Sequence, residues 1–218
     1  MYGRSAIVAA HERPHTDPMC IYVAHICFWL VFAAANVYAR RRYPATATPD
    51  IAATSASREG EPLRAKNASL LVAVHAFAFA VLFYGVGRAV WNRNVPFEPP
   101  TWRVVVGVAI IAIGAVLAFW ARVSFASWRV RAQLDAGHQL ATGGPFAMIR
   151  NPIYQAMNLL ALGTAVWVNN TGAWLGVLLM AIGGTLRARA EEPLLERMFG
   201  EQYREYRSRT WRFVPGIY

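Results

Sequence analysis

The strongest constraint on this chain is a series of apolar blocks long enough to cross a lipid bilayer. A membrane-spanning helix needs roughly 20 predominantly apolar residues. Residues 19–39 and 68–90 meet that length, and residues 104–121 come close to it. Two shorter blocks, 153–168 and 172–186, flank Asn169-Asn170-Thr171-Gly172. That joint reads as a turn, because Asn and Gly tolerate left-handed backbone and Asn caps its own chain. The pair predicts a tight helical hairpin, slightly short of a full span but accommodated by tilt, bilayer thinning or neighbouring helices. The expected fold is an all-α integral membrane protein of about five transmembrane helices, the last two a tight hairpin. Only 16% of the 218 residues are charged, against about 25% in a soluble domain.

A net charge of +10 raises nucleic acid as a partner, so the placement of the charge decides. With the N-terminus outside and the C-terminus cytoplasmic, 17 Lys and Arg fall on the cytoplasmic side. These are Arg40, Arg41, Arg42, Arg58, Arg64, Lys66, Arg122, Arg129, Arg131, Arg150 and the seven between 187 and 212. Arg4, Arg13, Arg88, Arg93 and Arg103 fall outside. This is the positive-inside asymmetry of a multi-pass protein. The basic charge is expected to set topology and to meet anionic membrane lipids, with no nucleic-acid partner. The expected location is the inner membrane of a bacterium or archaeon.

Residues 1–18 form a polar lead without the apolar run and cleavage site of a signal peptide. Residues 43–66, with Pro44, Pro49 and Pro62 among Ala, Thr and Ser, fit a cytoplasmic loop. Cys20 and Cys27 lie seven apart on one helix, too far for an intrachain disulfide, and read as helix lining. His25 and His75 read as helix lining too. The chain divides into 1–121, holding helices one to three and the loop 43–66, and 122–218. The second part holds the hairpin 153–186 and an amphipathic basic tail from 187 to 212.

Chemistry concentrates in two stretches of that second part. In the first, Gly143-Gly144-Pro145 permits close-approach backbone, and Asn151-Pro152 supplies a cap and a first helical position. A helix N-terminus offers N–H groups and partial positive charge to a carboxylate. The second is Arg187-Ala188-Arg189-Ala190-Glu191-Glu192-Pro193, where Arg187 and Glu191 share a helix face. Taken singly, the first is an ordinary capped helix and the second an interfacial ion-pair network. No Ser-His-Asp set, nucleotide loop or metal-ligand spacing is present, so no metal is expected.

Together the two stretches resemble the isoprenylcysteine carboxyl methyltransferase family and the related phospholipid N-methyltransferases. Their pattern runs His-x-Leu-Val-Thr-x-Gly-x-Tyr, then Arg-His-Pro-x-Tyr-x-Gly, a hairpin, Glu-Glu, Phe-Gly-x-x-Tyr-x-x-Tyr and a terminal Arg-Phe-x-Pro. The matching residues are His138, Leu140, Thr142, Gly144, Arg150, Pro152, Tyr154, Glu191, Glu192, Phe199-Gly200, Tyr203, Tyr206 and Arg212-Phe213-Val214-Pro215. The match covers roughly residues 120–218. Asn151 stands where the family has His, Phe146 where it often has Tyr, and Ala156 where it has Gly.

The resemblance implies a methyltransferase with S-adenosyl-L-methionine as cofactor, bound in a cytoplasmic C-terminal cap. It places His138, Gln139, Leu140, Ala141, Phe146, Arg150, Asn151, Pro152, Ile153, Tyr154, Glu191 and Glu192 around that cofactor, and Arg131 with them. It turns Arg187 toward the substrate as the catalytic position. The expected partner is a lipophilic acceptor entering from the bilayer, an isoprenylcysteine-type carboxylate first and a phospholipid amine or small thiol as alternatives. A non-enzymatic membrane scaffold or transporter is the reading from another class, and oligomeric state stays open. A sterol reductase, which has a related C-terminal hairpin, needs a larger body and a nicotinamide site.

Overall fold

The computed structural model describes residues 19–42, 63–64, 68–91, 97–124, 133–134 and 140–217. Its helices are α1 (Met19–Arg42), α2 (Ala68–Val90), α3 (Thr101–Ser124), α4 (Pro152–Val168), α5 (Thr171–Phe199) and α6 (Glu201–Ser208). A 3-10 turn, Gly144–Ala147, precedes α4, and Leu63–Arg64 pairs antiparallel with Gln133–Leu134. At a rise of 1.5 Å per residue, helices of 23 or 24 residues span about 35 Å, more than the hydrocarbon core. By length and composition four helices can cross a membrane: α1, α2 from Ser69, α3 and α5. The expected count of about five thus becomes four plus α4, which has 17 residues and reaches only about 25 Å. Large side chains on the outer faces of these helices are apolar, among them Leu30, Phe77, Ile113, Val116 and Leu178, as contact with hydrocarbon requires.

Inside a bilayer, helices gain little by hiding apolar groups and associate through close backbone approach at small residues. α3 runs along α4, α2 along α5, and α1 packs on α3. At the α3–α4 crossing a Cβ on Gly163 would sit 2.6 Å from the Gly107 carbonyl, and one on Gly107 2.7 Å from the Gly163 carbonyl. Along the α2–α5 seam Gly176 meets Leu82 and Gly183 meets His75. Between the helices lie Ile21, Phe28, Leu82, Ile111, Leu160, Trp167 and Met180. A buried polar link joins α1 to α4, where His25 Nε2 donates to Thr164 Oγ1 at 2.8 Å while that hydroxyl donates to the Leu160 carbonyl.

The hairpin turn forms as its composition predicts. Asn169 adopts left-handed backbone (φ 49°). Asn170 Oδ1 accepts from the Ala173 amide at 2.8 Å, and its Nδ2 donates to the Gly85 carbonyl at 2.6 Å. Arg103 of α3 donates to the Val166 and Trp167 carbonyls at 3.2 and 3.1 Å. A cation thereby satisfies the open carbonyls at the C-terminus of α4. The far end of the hairpin differs from the expectation of a helix ending at 186 and a separate tail. α5 continues unbroken through Pro193 to Phe199, 29 residues in all. Pro193 forfeits one helical hydrogen bond; just before it Arg187 pairs with Glu191 along the helix, and Glu192 ties the helix to Arg212 of the chain end. These three residues therefore ride on one rigid rod with the hairpin.

Candidate functional site

Three segments meet at the end of the bundle opposite the hairpin turn: the loop 140–151, the last turns of α5, and the chain after α6. The loop is held by backbone pairing rather than by its own side chains. The Arg150 amide donates to the Trp211 carbonyl at 2.7 Å, the Trp211 amide to the Met148 carbonyl at 3.0 Å, and the Asn151 amide to the Arg212 carbonyl at 3.2 Å. Tyr206 of α6 donates its hydroxyl to the Phe146 carbonyl at 2.8 Å. Burial pushes the Tyr206 phenol up, which keeps it protonated as that donor.

An ion-pair clasp reinforces this closure. Glu192 receives Arg212 on both oxygens, Nε to Oε1 at 2.8 Å and Nη2 to Oε2 at 2.7 Å. Arg150 Nε lies 3.5 Å from Glu192 Oε1. The other arm of Arg150 donates to the carbonyls of Arg207 and Thr210. Fork-to-fork pairing of this kind is among the stronger polar contacts. It engages the carboxylate of Glu192 and the guanidinium of Arg150 in fixing the chain end, so both side chains position the loop.

Beside the clasp, α4 and α5 join through a second cluster. Tyr154, in the first turn of α4, donates its hydroxyl to Glu191 Oε1 at 2.6 Å. Arg187 Nη2 approaches the same oxygen at 3.5 Å, and its guanidinium carbon lies 4.9 Å from the centre of the Tyr154 ring. The Glu191 side chain, the acidic group of the cluster, is 24% exposed, against 9% for Arg187. His75 of α2 closes the third side, its ring centre 5.7 Å from that of Tyr154.

The structure thus brings Arg150, Asn151, Pro152, Ile153, Tyr154, Arg187, Glu191 and Glu192 into one region. Phe146 and Ile153 sit in a small apolar cluster with Ala121, packed by Ala141, and Leu140 is half-buried beside it. Arg131, His138 and Gln139 lie outside the described residues, as does most of the loop 43–66. One expectation changes. Asn151 occupies the N-cap position of α4, yet its side chain makes no capping hydrogen bond. Its Nδ2 donates instead to the Arg212 carbonyl at 3.2 Å, the same carbonyl that receives the Asn151 amide. His75, read from the sequence as helix lining, sets its ring beside that of Tyr154, a contact between separate helices that the sequence does not display.

Comparison with known proteins bears on the same region. A family model for phospholipid methyltransferase matches residues 102–202, from α3 to the start of α6. An uncharacterized protein of Haemophilus influenzae is 32% identical over 63 residues, which are 28% of this chain and 100% of that protein. Among solved structures, a eukaryotic intramembrane Ras methyltransferase, isoprenylcysteine carboxyl methyltransferase, aligns with a TM-score of 0.58 at 17% identity. The alignment covers 94% of this chain and 69% of that one, a likeness of fold that extends to the N-terminal helices.

Proposed function

We propose that this chain, which a phospholipid methyltransferase family model matches over residues 102–202, moves the methyl group of S-adenosylmethionine onto a lipophilic acceptor. It is a multi-pass membrane methyltransferase; the donor, the acceptor and the residue roles are our reading. The Tyr154–Glu191–Arg187 cluster carries that reading, since it places an anion, a cation and an aromatic face together where the loop 140–151 closes on α5.

The residues present fit the cofactor's chemistry. When bound, S-adenosylmethionine supplies a methyl group on a sulfonium, transferred by in-line displacement. Glu191 offers a carboxylate oxygen to its ammonium or ribose hydroxyls. The chain between Leu140 and Tyr154 offers backbone amides and the apolar wall of Phe146 and Ile153 for the adenine. Arg187, fixed by Glu191 and the Tyr154 ring, orients an anionic acceptor group such as an isoprenylcysteine carboxylate. A carboxylate or thiolate acceptor needs no base, whereas a phospholipid amine must lose a proton. The protein's part is to align the two reactants and exclude water. The cluster sits at the end of apolar helices, so a lipid acceptor reaches it sideways from the bilayer while the cofactor enters from the cytoplasm.

Binding of S-adenosylhomocysteine to the purified protein tests the donor. A calorimetric or thermal-shift signal is expected, weakened at least about tenfold by Glu191→Ala, the loss of a charge-assisted contact. Folded protein without any signal would refute the reading. Labelled methyl transfer into a panel of prenylcysteine, aminophospholipid and thiol acceptors then fixes the substrate.

A further inference from the structure

His75 is 94% buried, at 6% relative exposure, in the apolar first half of α2, whose charged residue, Arg88, stands in its last turn. Neither ring nitrogen makes a hydrogen bond of normal geometry among the described residues, although the ring leans toward the Leu71 carbonyl one turn back. Asn158, one turn beyond Tyr154 on α4, is in a similar state. Its Nδ2 donates to Gln155 at 3.3 Å, but its Oδ1 is buried without a partner. Two adjacent glycines of α5 bring these groups to the same level. A Cβ on Gly183 would stand 3.2 Å from His75 Nδ1, and one on Gly184 3.9 Å from Asn158 Oδ1 and 3.6 Å from Tyr154 Cβ. Gly183 precedes Arg187 by four residues, so this level is one helical turn, about 5 Å, from Arg187 toward the hairpin. Unsatisfied polar atoms inside hydrocarbon are costly and mark a place where something polar arrives.

A membrane amphiphile has its polar parts in a fixed order: a charged or reactive head, then an uncharged ester or amide linkage, then hydrocarbon. The protein presents a matching order: Arg187 and Glu191, then His75 and Asn158, then the apolar helices. We infer that His75 and Asn158 are a specificity-determining seat for the carbonyl-bearing linkage of the acceptor. The imidazole N–H donates to that carbonyl, and Asn158 Oδ1 takes the N–H where the linkage is an amide. This rests on the methyltransferase reading above and adds to it the class of acceptor. His75 belongs to α2, outside the residues matched by the family model.

Paired acceptors that differ only at the linkage provide the test. One pair is S-farnesyl-N-acetylcysteine and S-farnesyl-3-mercaptopropionate, which lacks the amide. The other is diacyl and dialkyl-ether phosphatidylethanolamine in vesicles. The wild type is expected to favour the carbonyl-bearing member of whichever pair it methylates by about fivefold to tenfold in kcat/KM, expressed in KM, the worth of one such hydrogen bond. His75→Phe should abolish the preference, leave S-adenosylhomocysteine binding unchanged, and be partly rescued by His75→Gln. A wild type indifferent to the linkage, or a preference that survives His75→Phe, overturns the inference. So does cofactor binding with neither pair methylated, an outcome that leaves the donor assignment standing. Absence of cofactor binding removes the methyltransferase reading itself, so the two failures are separable.

Discussion

At the residue scale, two adjacent carboxylates perform different work because a helix turns about 100° between them. Glu191 faces α4 and meets Tyr154, whereas Glu192 faces the chain end and meets Arg212 and Arg150. The sequence shows both as one acidic pair beside several Arg residues, and nothing in the spacing divides their roles. Replacing Glu192 by Gln should therefore act on stability. The amide cannot receive both forks of Arg212 and leaves two guanidiniums facing each other. A loss of about 2 kcal/mol is expected, since breaking a largely buried pair strands its partners. Combining it with Arg212→Ala should add little, because both changes open the same contact. Thermal unfolding in detergent micelles measures this, and a Glu192→Gln protein as stable as wild type would remove the clasp from the account. Glu191→Ala should show the opposite profile, with modest change in unfolding and a large one in cofactor binding.

At the element scale, hairpin and helix identities were legible in the apolar blocks and in Asn169-Asn170, because turn chemistry is local. The length of α5 was not. A run of charges ending in Glu-Glu-Pro reads as the edge of a membrane segment, and only the partners supplied from α4 and the chain end show why the helix persists. The contacts of Asn151 were hidden for the same reason, since the carbonyl it serves belongs to Arg212, 61 positions away. Helix pairing was equally invisible, because one Gly among many small residues does not announce its neighbour. Gly107 and Gly163 cross backbone to backbone, so Gly163→Ala must push α3 and α4 apart. A destabilisation of about 1–3 kcal/mol is expected for such overpacking. Gly143→Ala, where an added Cβ meets nothing within 4 Å and φ is −98°, should be nearly neutral. Equal unfolding temperatures for the two variants would contradict the packing described for the bundle.

At the scale of the whole molecule, the arrangement of charge assigns a side to the chemistry. The site lies at the end of the bundle that carries Arg187, Glu191, Glu192 and α6, while the Asn169–Asn170 turn and Arg103 lie at the other end. Among the described residues Arg40, Arg41, Arg42, Arg122 and the seven Arg between 187 and 212 lie toward the first end, and Arg88 and Arg103 toward the second; on the positive-inside bias of multi-pass chains we propose that the first end faces the cytoplasm. A water-soluble methyl donor made inside the cell can then reach the loop 140–151 without crossing the bilayer, and the lipid acceptor needs only to diffuse within it. Single cysteines report the orientation in a background with Cys20 and Cys27 replaced by Ser, both being exposed. A cysteine at Glu201, 79% exposed by side chain, should resist a membrane-impermeant maleimide in intact cells and react after permeabilisation. One at Asn170, in the hairpin turn, should react without permeabilisation. The reversed pattern would put the cofactor site on the outer face, away from its donor, and would leave the proposed reaction without a supply of methyl groups.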